Sequence, residues 1–124
     1  MTQEIGLFLR LLRELQKIDS EFPLQYAVCL GEIAIHEGLS LSQLAERTGM
    51  PLSTVSRIVG ALSRNRQKGS AYDLVRASIS ATERRKKELT LTARGHAVIK
   101  SINDLIGSAS GPGLPPGPHA EKPA

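Results

Sequence analysis

The sequence predicts a mainly α-helical fold with one small β-hairpin. Apolar residues recur at helical spacing in five segments, and two further segments alternate apolar with polar residues. A glycine-centred turn joins two of the helical segments, as in a helix-turn-helix. With 124 residues the chain suffices for one domain with a modest core, which we expect to span 1–106. We expect 107–124, rich in Gly and Pro, to be a disordered tail.

The first helix is predicted from Gln3 to Ile18 and carries more apolar surface than a small domain needs. Its apolar residues spread over an arc of about 200°, wider than the stripe of an ordinary surface helix. We expect the surplus to meet a second subunit. The alternative is a helix buried deeply within its own domain, for which a short chain offers little material.

The second helix is predicted from Pro23 to Glu37, with an apolar side and a polar side. A metal or redox site on the polar side is disfavoured, because one helix face supplies too few ligands. A single cysteine also excludes an internal disulfide framework. We therefore predict no metal and no cofactor. We expect Leu24, Ala27, Leu30, Gly31 and Ala34 to face the core, and Gln25, Cys29, Glu32 and His36 to face away.

Residues 39–62 are typical of a helix-turn-helix. Ser40 and Gln43 have the spacing of a capping box at the start of the first helix. Gly49 stands where that helix must end in a left-handed turn, and Pro51 suits the first turn of the next helix.

The second helix of this motif divides into two faces. Val55, Ile58, Val59 and Leu62 form one apolar stripe, and Ser53, Arg57, Gly60 and Arg64 fall opposite, beside Thr54 and Ala61. Hydroxyls and arginine next to small residues suit close approach to base edges and phosphates. The alternative is an ordinary amphipathic helix with a solvated face.

A β-hairpin follows the helix pair. Leu74 to Ser80 and Lys87 to Thr92 both alternate with period two, which predicts strands with one buried face. The connection and the first residue of the second strand together carry four cations, so the hairpin resembles a wing that reaches phosphates or a minor groove. An exposed charged loop is the simpler alternative. The cations are Arg84, Arg85, Lys86 and Lys87.

The last helix is predicted from a Thr92 cap to about Ile106. Val98, Ile102 and Leu105 form its apolar stripe, and Ile99 and Ile106 widen it. As in the first helix, the apolar surface exceeds what one small domain needs.

Positive charge is concentrated in the middle of the chain. Residues 51–100 carry eleven Lys and Arg against three Asp and Glu, a net +8 within a total of +4. A localised basic face is the expected footprint of a phosphate-backbone partner. No apolar run approaches the roughly 18 residues of a membrane span, and the N-terminus lacks a signal peptide's pattern. We expect a cytoplasmic protein with no membrane partner.

Two separated motifs resemble the MarR family of winged helix-turn-helix transcriptional regulators. The first is Leu-Ala-Glu-Arg-Thr-Gly at 44–49, followed by Ser-Thr-Val-Ser-Arg at 53–57; the second is Glu-Arg-Arg at 83–85, leading to Leu-Thr-Ala-Arg-Gly at 91–95. The resemblance implies a homodimer through helices at 1–20 and 92–106. It also implies that Ser53, Thr54, Ser56 and Arg57 enter a major groove and that Arg85 reaches a minor groove. Whether a small-molecule effector acts stays open.

The sequence thus predicts a double-stranded DNA-binding transcriptional regulator, a dimeric repressor. The alternative is a winged helix used for protein interaction, or for plasmid or phage replication or maintenance. No phosphate loop, metal cluster or catalytic triad supports an enzyme, so we predict no catalytic residues. The predicted DNA-binding residues are Ser53, Thr54, Ser56, Arg57, Arg64, Arg66, Lys68, Arg84, Arg85, Lys86 and Lys87.

Overall fold

The computed structural model describes residues 2–63, 72–79 and 87–109. They form five helices and an antiparallel two-stranded hairpin, which confirms the predicted fold class. In chain order the elements are α1 (Thr2–Gln16), α2 (Leu24–Ile35), α3 (Leu41–Thr48), α4 (Leu52–Leu62), β1 (Val75–Ile79), β2 (Lys87–Leu91) and α5 (Ala93–Ala109).

The core lies where α2, α3 and α4 meet the hairpin. Aliphatic side chains fill it, since the chain has no tryptophan and only four Phe and Tyr residues in all. The predicted stripe of α4 is buried throughout, which fixes the rotation of that helix about its axis. The most deeply buried side chains are Cys29, Leu30, Ile33, Leu44, Val55, Leu62, Leu74, Val75 and Leu89.

Local signals set the ends of α3 as predicted. The Ser40 hydroxyl accepts from the Gln43 amide at 3.1 Å, and the Gln43 side chain accepts from the Ser40 amide at 2.8 Å, which completes the capping box. Gly49 ends the helix in the left-handed conformation, with φ of 75°, where a side chain would be strained.

The hairpin is held to the segment that precedes α3. Its strands pair in a register that sets Val75 against Leu91 and Ile79 against Lys87. The Gly38 amide donates to the Leu89 carbonyl at 2.7 Å, and the Leu89 amide donates to the Leu39 carbonyl at 2.9 Å. These bonds place β2 alongside the start of the helix-turn-helix.

A junction at Leu74 joins α4, the hairpin and α5. The Leu74 amide donates to the Leu62 carbonyl at 2.8 Å, and the Leu74 carbonyl accepts from the Thr92 amide at 3.0 Å. The Thr92 hydroxyl caps α5 by accepting from the Gly95 amide at 3.0 Å, as predicted. A side chain at Gly95 would collide with the Leu74 carbonyl, so only glycine fits there.

Three of the four aromatic residues pack together where α1 leads into α2. Phe22, Tyr26 and Tyr72 make edge-to-face pairs with ring centroids 5.3–6.2 Å apart. The Tyr72 hydroxyl also donates to the Asp19 carboxylate at 2.7 Å. This cluster anchors the chain just before β1 to the α1–α2 connection.

Helices α1 and α5 pack against each other and leave apolar side chains in solvent. No residue of α1 is buried, and Ile5 and Phe8 are 59% and 57% exposed. Leu9 and Ile106 are also exposed. The surplus apolar surface that the sequence predicts on both end helices is therefore present.

The predicted faces of α2 are partly wrong. Leu24, expected in the core, is 73% exposed, and Cys29, expected on the outer side, is completely buried. The helix packs against α3, α4 and β2 together, so its inward surface is broader than a single stripe and centres on Cys29, Leu30 and Ile33. Cysteine behaves here as a small apolar side chain.

The last helix is three residues longer than predicted. It continues through Gly107 to Ala109, although the sequence places the tail from 107 onward. A glycine costs a helix only about 1 kcal/mol, and the first proline lies further on, at Pro112. Residues 110–124 lie outside the described part, so the predicted tail stays a prediction there.

We expect Gly95→Ala to destabilise the fold, because the added methyl group forces the Leu74 carbonyl away from Thr92. The loss should be about 1–3 kcal/mol in urea unfolding. Gly107→Ala is the matched control: its added methyl group meets no atom within 4 Å, and helix propensity should raise stability by up to about 1 kcal/mol. Equal free energies of unfolding for the two variants would contradict the close approach of Gly95 to the Leu74 carbonyl.

We expect the Cys29 thiol to be inert in the folded protein. Burial, together with the nearby Glu32 carboxylate, raises the pKa of this thiol to about 11, so the reactive thiolate is scarce at pH 8. A thiol reagent such as DTNB should label Cys29 slowly in buffer and rapidly in denaturant. Fast labelling of the native protein at pH 8 would show the prediction to be wrong.

Candidate nucleic-acid interface

Helix α4 presents a polar face while its other side is held in the core. Val55 and Leu62 are completely buried, whereas Ser53, Ser56 and Arg57 are exposed. Thr54, the fourth predicted groove residue, is half-buried. An exposed row of hydroxyls and one guanidinium offers hydrogen bonds to base edges and phosphates, and arginine pairs well with guanine. We call α4 the recognition helix.

The turn before the recognition helix is tied down by short-range bonds. The Thr48 hydroxyl donates to the Leu44 carbonyl at 2.8 Å and accepts from the Met50 amide at 3.3 Å. Pro51 is extended and lies immediately before the helix rather than in its first turn. It provides no side-chain cap, so the first amides of the recognition helix have none from this residue.

Arg47 forms an ion pair between two helices. Its guanidinium bonds the Glu32 carboxylate at 2.9 Å and so joins α3 to α2. Because both groups are partly exposed, this ion pair contributes little stability by itself. It does orient Arg47 toward α2, whereas Arg57 is exposed on the polar face of the recognition helix.

The hairpin contributes two exposed cations in its described part. Lys87, a predicted contact, begins β2 opposite Ile79. Arg76, on β1 opposite Thr90, is also exposed and was not among the predicted residues, although strand alternation already separates it from the buried Val75. Six predicted contacts lie outside the described residues: Arg64, Arg66, Lys68, Arg84, Arg85 and Lys86.

A cleft lies among the start of α3, the recognition helix and the first residue of β2. It has a volume of about 620 Å³ and opens to solvent. Ser56 and Lys87, both predicted from the sequence, lie in its lining although they are distant along the chain. We call it the strand cleft. Its lining residues are Ser40, Leu41, Ser42, Gln43, Leu52, Ser56 and Lys87.

Sequence reasoning missed Ser42 and Gln43 as site residues. The capping box explains Gln43 only as a residue that caps the start of α3, and no local sequence pattern distinguishes Ser42. Both face the strand cleft because α3 begins beside β2. Only the packing of α3 against the hairpin reveals this proximity.

Other kinds of site find no support in the described part of the chain. Within residues 2–63, 72–79 and 87–109, no three His, Cys, Asp or Glu side chains converge as metal ligands would. In the same ranges, no helix combines the length and the apolar character that crossing a bilayer demands.

Comparisons with known proteins agree with this geometry. In sequence, residues 34–67 match the IclR helix-turn-helix domain. No protein of curated function matches the chain in sequence.

Solved structures match most of the chain in fold. The DNA complex of MepR from S. aureus has a TM-score of 0.67 at 19% identity and covers 83% of this chain and 77% of MepR. RV1404 from Mycobacterium tuberculosis has a TM-score of 0.66 at 21% identity, covering 84% of this chain and 66% of that protein. The MarR family transcription regulator SP03579 has a TM-score of 0.61 at 20% identity, covering 77% of this chain.

The chain spans only 58% of the length of SP03579. What the two proteins share is the fold. The resemblance predicted from the two sequence motifs is thereby confirmed at the level of fold: the chain has the winged-helix fold seen in MepR and in the MarR family transcription regulator SP03579.

Proposed function

We propose that this protein is a sequence-specific, double-stranded DNA-binding transcriptional regulator that acts as a dimeric repressor. The observation that carries the proposal is the recognition helix, whose exposed face bears Ser53, Ser56 and Arg57 while its opposite face is locked into the core. A helix fixed in this way fits the major groove, about 12 Å wide, without losing conformational freedom on binding.

Charge supports the same partner. Of the eleven Lys and Arg in residues 51–100, nine lie on the recognition helix, the hairpin and the chain that joins them. Cations in that region attract the phosphate backbone and raise affinity for any duplex. The fold is that of MepR, whose structure was solved with DNA. A regulator of this kind acts where the DNA is, and we propose a cytoplasmic location.

The exposed apolar residues of α1 and α5 support the dimer. Ile5, Phe8 and Ile106 are exposed apolar side chains on two helices that pack against each other. A two-fold axis through these two helices would pair two recognition helices. Their half-sites would then lie about one helical turn apart on the DNA. Repression would follow from occupying a promoter.

We expect Arg57→Ala to weaken binding to the cognate site far more than to unrelated DNA. Footprinting on the region upstream of the protein's own gene would supply that site. Loss of a bidentate base contact should cost about 1–3 kcal/mol there. Fluorescence anisotropy on both duplexes would measure it.

Arg10→Ala is the matched control, because it removes the same charge from an exposed position on α1. It should reduce binding slightly and equally on both duplexes. If Arg57→Ala behaved in the same way, Arg57 would have no base-reading role. If the wild-type protein bound no duplex, the proposed function itself would fail.

We expect Phe8→Asp to convert the dimer into monomers, because a carboxylate would be buried without a partner in the subunit interface. Sedimentation velocity would measure the change in mass, and affinity for the two-half-site duplex should fall with it. Leu24→Asp is the control, since Leu24 is 73% exposed but lies on α2, outside the proposed subunit interface and the hairpin. If the Phe8→Asp variant sedimented with the same mass as the wild type, the proposed interface would be wrong.

A further inference from the structure

We propose that the strand cleft is a phosphate-binding site that holds one phosphodiester of the DNA backbone. Lys87, Ser42, Gln43 and Ser56 would be its polar contacts. The proposal rests on the proposed function and deepens it, because it assigns a contact with the DNA backbone to residues that α3 contributes. It also moves Ser56 from base reading to backbone binding.

The position of the cleft is the first argument. Leu52 and Ser56 of the recognition helix line it together with 40–43 at the start of α3 and Lys87 at the start of β2. If the helix enters a major groove and the hairpin approaches the neighbouring minor groove, one sugar-phosphate strand must separate them, since such a strand divides any two adjacent grooves. That strand has to cross the space between the two elements. The strand cleft occupies this space.

The polar lining suits a phosphate. Lys87 is an exposed cation at the mouth of the cleft. In the described part of the chain, no hydrogen bond engages the hydroxyls of Ser42 and Ser56, so both can donate to a ligand. Hydroxyls and lysine are common partners of phosphate oxygens in protein–DNA complexes.

Gln43 adds a donor that is already oriented. Its carbonyl oxygen accepts from the Ser40 amide at 2.8 Å, which fixes the side-chain plane and directs the amide NH₂ group away from that bond. A donor held by an existing hydrogen bond loses little entropy when it binds a ligand. The capping box therefore serves both the helix end and the cleft.

The apolar lining suits the sugar. Leu52 is 51% exposed and Leu41 is half-buried, and both border the cleft beside the polar groups. Deoxyribose presents carbon–hydrogen surface next to each phosphate, which leucine can cover. No carboxylate belongs to the described lining, so no negative charge there opposes a phosphate.

The site should act without regard to base sequence. Its contacts would hold the duplex in register, while Ser53 and Arg57 face the bases. Loss of a cleft contact should therefore weaken binding to every duplex, unlike the loss of Arg57.

The first test measures binding to a 24-base-pair duplex of arbitrary sequence over a range of salt concentrations. Lys87→Ala should lower the log–log salt slope by about one unit. Ser42→Ala and Ser56→Ala should each weaken binding about twofold to tenfold. Lys100→Ala and Ser101→Ala, on the exposed side of α5, are the matched controls and should change neither quantity comparably.

The second test replaces single phosphates with uncharged methylphosphonates in the duplex that carries the footprinted site. At one position per half-site, the replacement should weaken binding by wild type but should leave the Lys87→Ala variant almost unaffected. Additive losses at every position would overturn the proposal. Inorganic phosphate should fail to displace the duplex at micromolar concentrations; displacement there would make the cleft a small-anion site and overturn it too.

The tests separate this inference from the proposed function. If the duplexes bind normally and the cleft variants behave like their controls, the phosphate site is wrong and the regulator stands. If wild type binds no duplex, both fall together. All the cleft variants replace exposed residues, so loss of fold would not obscure the result.

Discussion

The main-chain junction at Leu74 is the constraint on which the rest of the interface depends. One residue bonds the end of the recognition helix through its amide and the start of α5 through its carbonyl. Gly95 allows this approach because any side chain there would occupy the position of the carbonyl oxygen. The separation between recognition helix and hairpin is thus set by backbone bonds.

The helices of the interface each have a buried side and an exposed side, and the two sides have different roles. Buried aliphatic stripes fix the orientation of a helix, and the opposite faces carry the chemistry, as in Val55 and Arg57 on the recognition helix. Ion pairs contribute little to this arrangement; Arg47 and Glu32 bond at 2.9 Å but are partly exposed to solvent. Packing and main-chain hydrogen bonds therefore hold the exposed side chains in position, and the charged groups among them remain available to bind a partner.

Sequence reasoning succeeded where the cause of a structure is local. The capping box at Ser40, the left-handed Gly49 and the Thr92 cap depend on residues within three or four positions. It failed for α2, where Leu24 is exposed and Cys29 is buried, because three neighbouring elements define the inward side of that helix. It also ended α5 too early, since glycine weakens a helix without stopping it.

By itself the sequence determined the class of fold, the polar face of the recognition helix and the concentration of positive charge that points to DNA. Periodicity and net charge are properties of the chain alone, so they need no knowledge of packing. Only the tertiary structure decided that Ser42, Ser56 and Lys87 line one cleft and that Gly95 meets Leu74. These residues come together from different elements, and the packing of helices against the hairpin fixes their proximity; no local pattern encodes it.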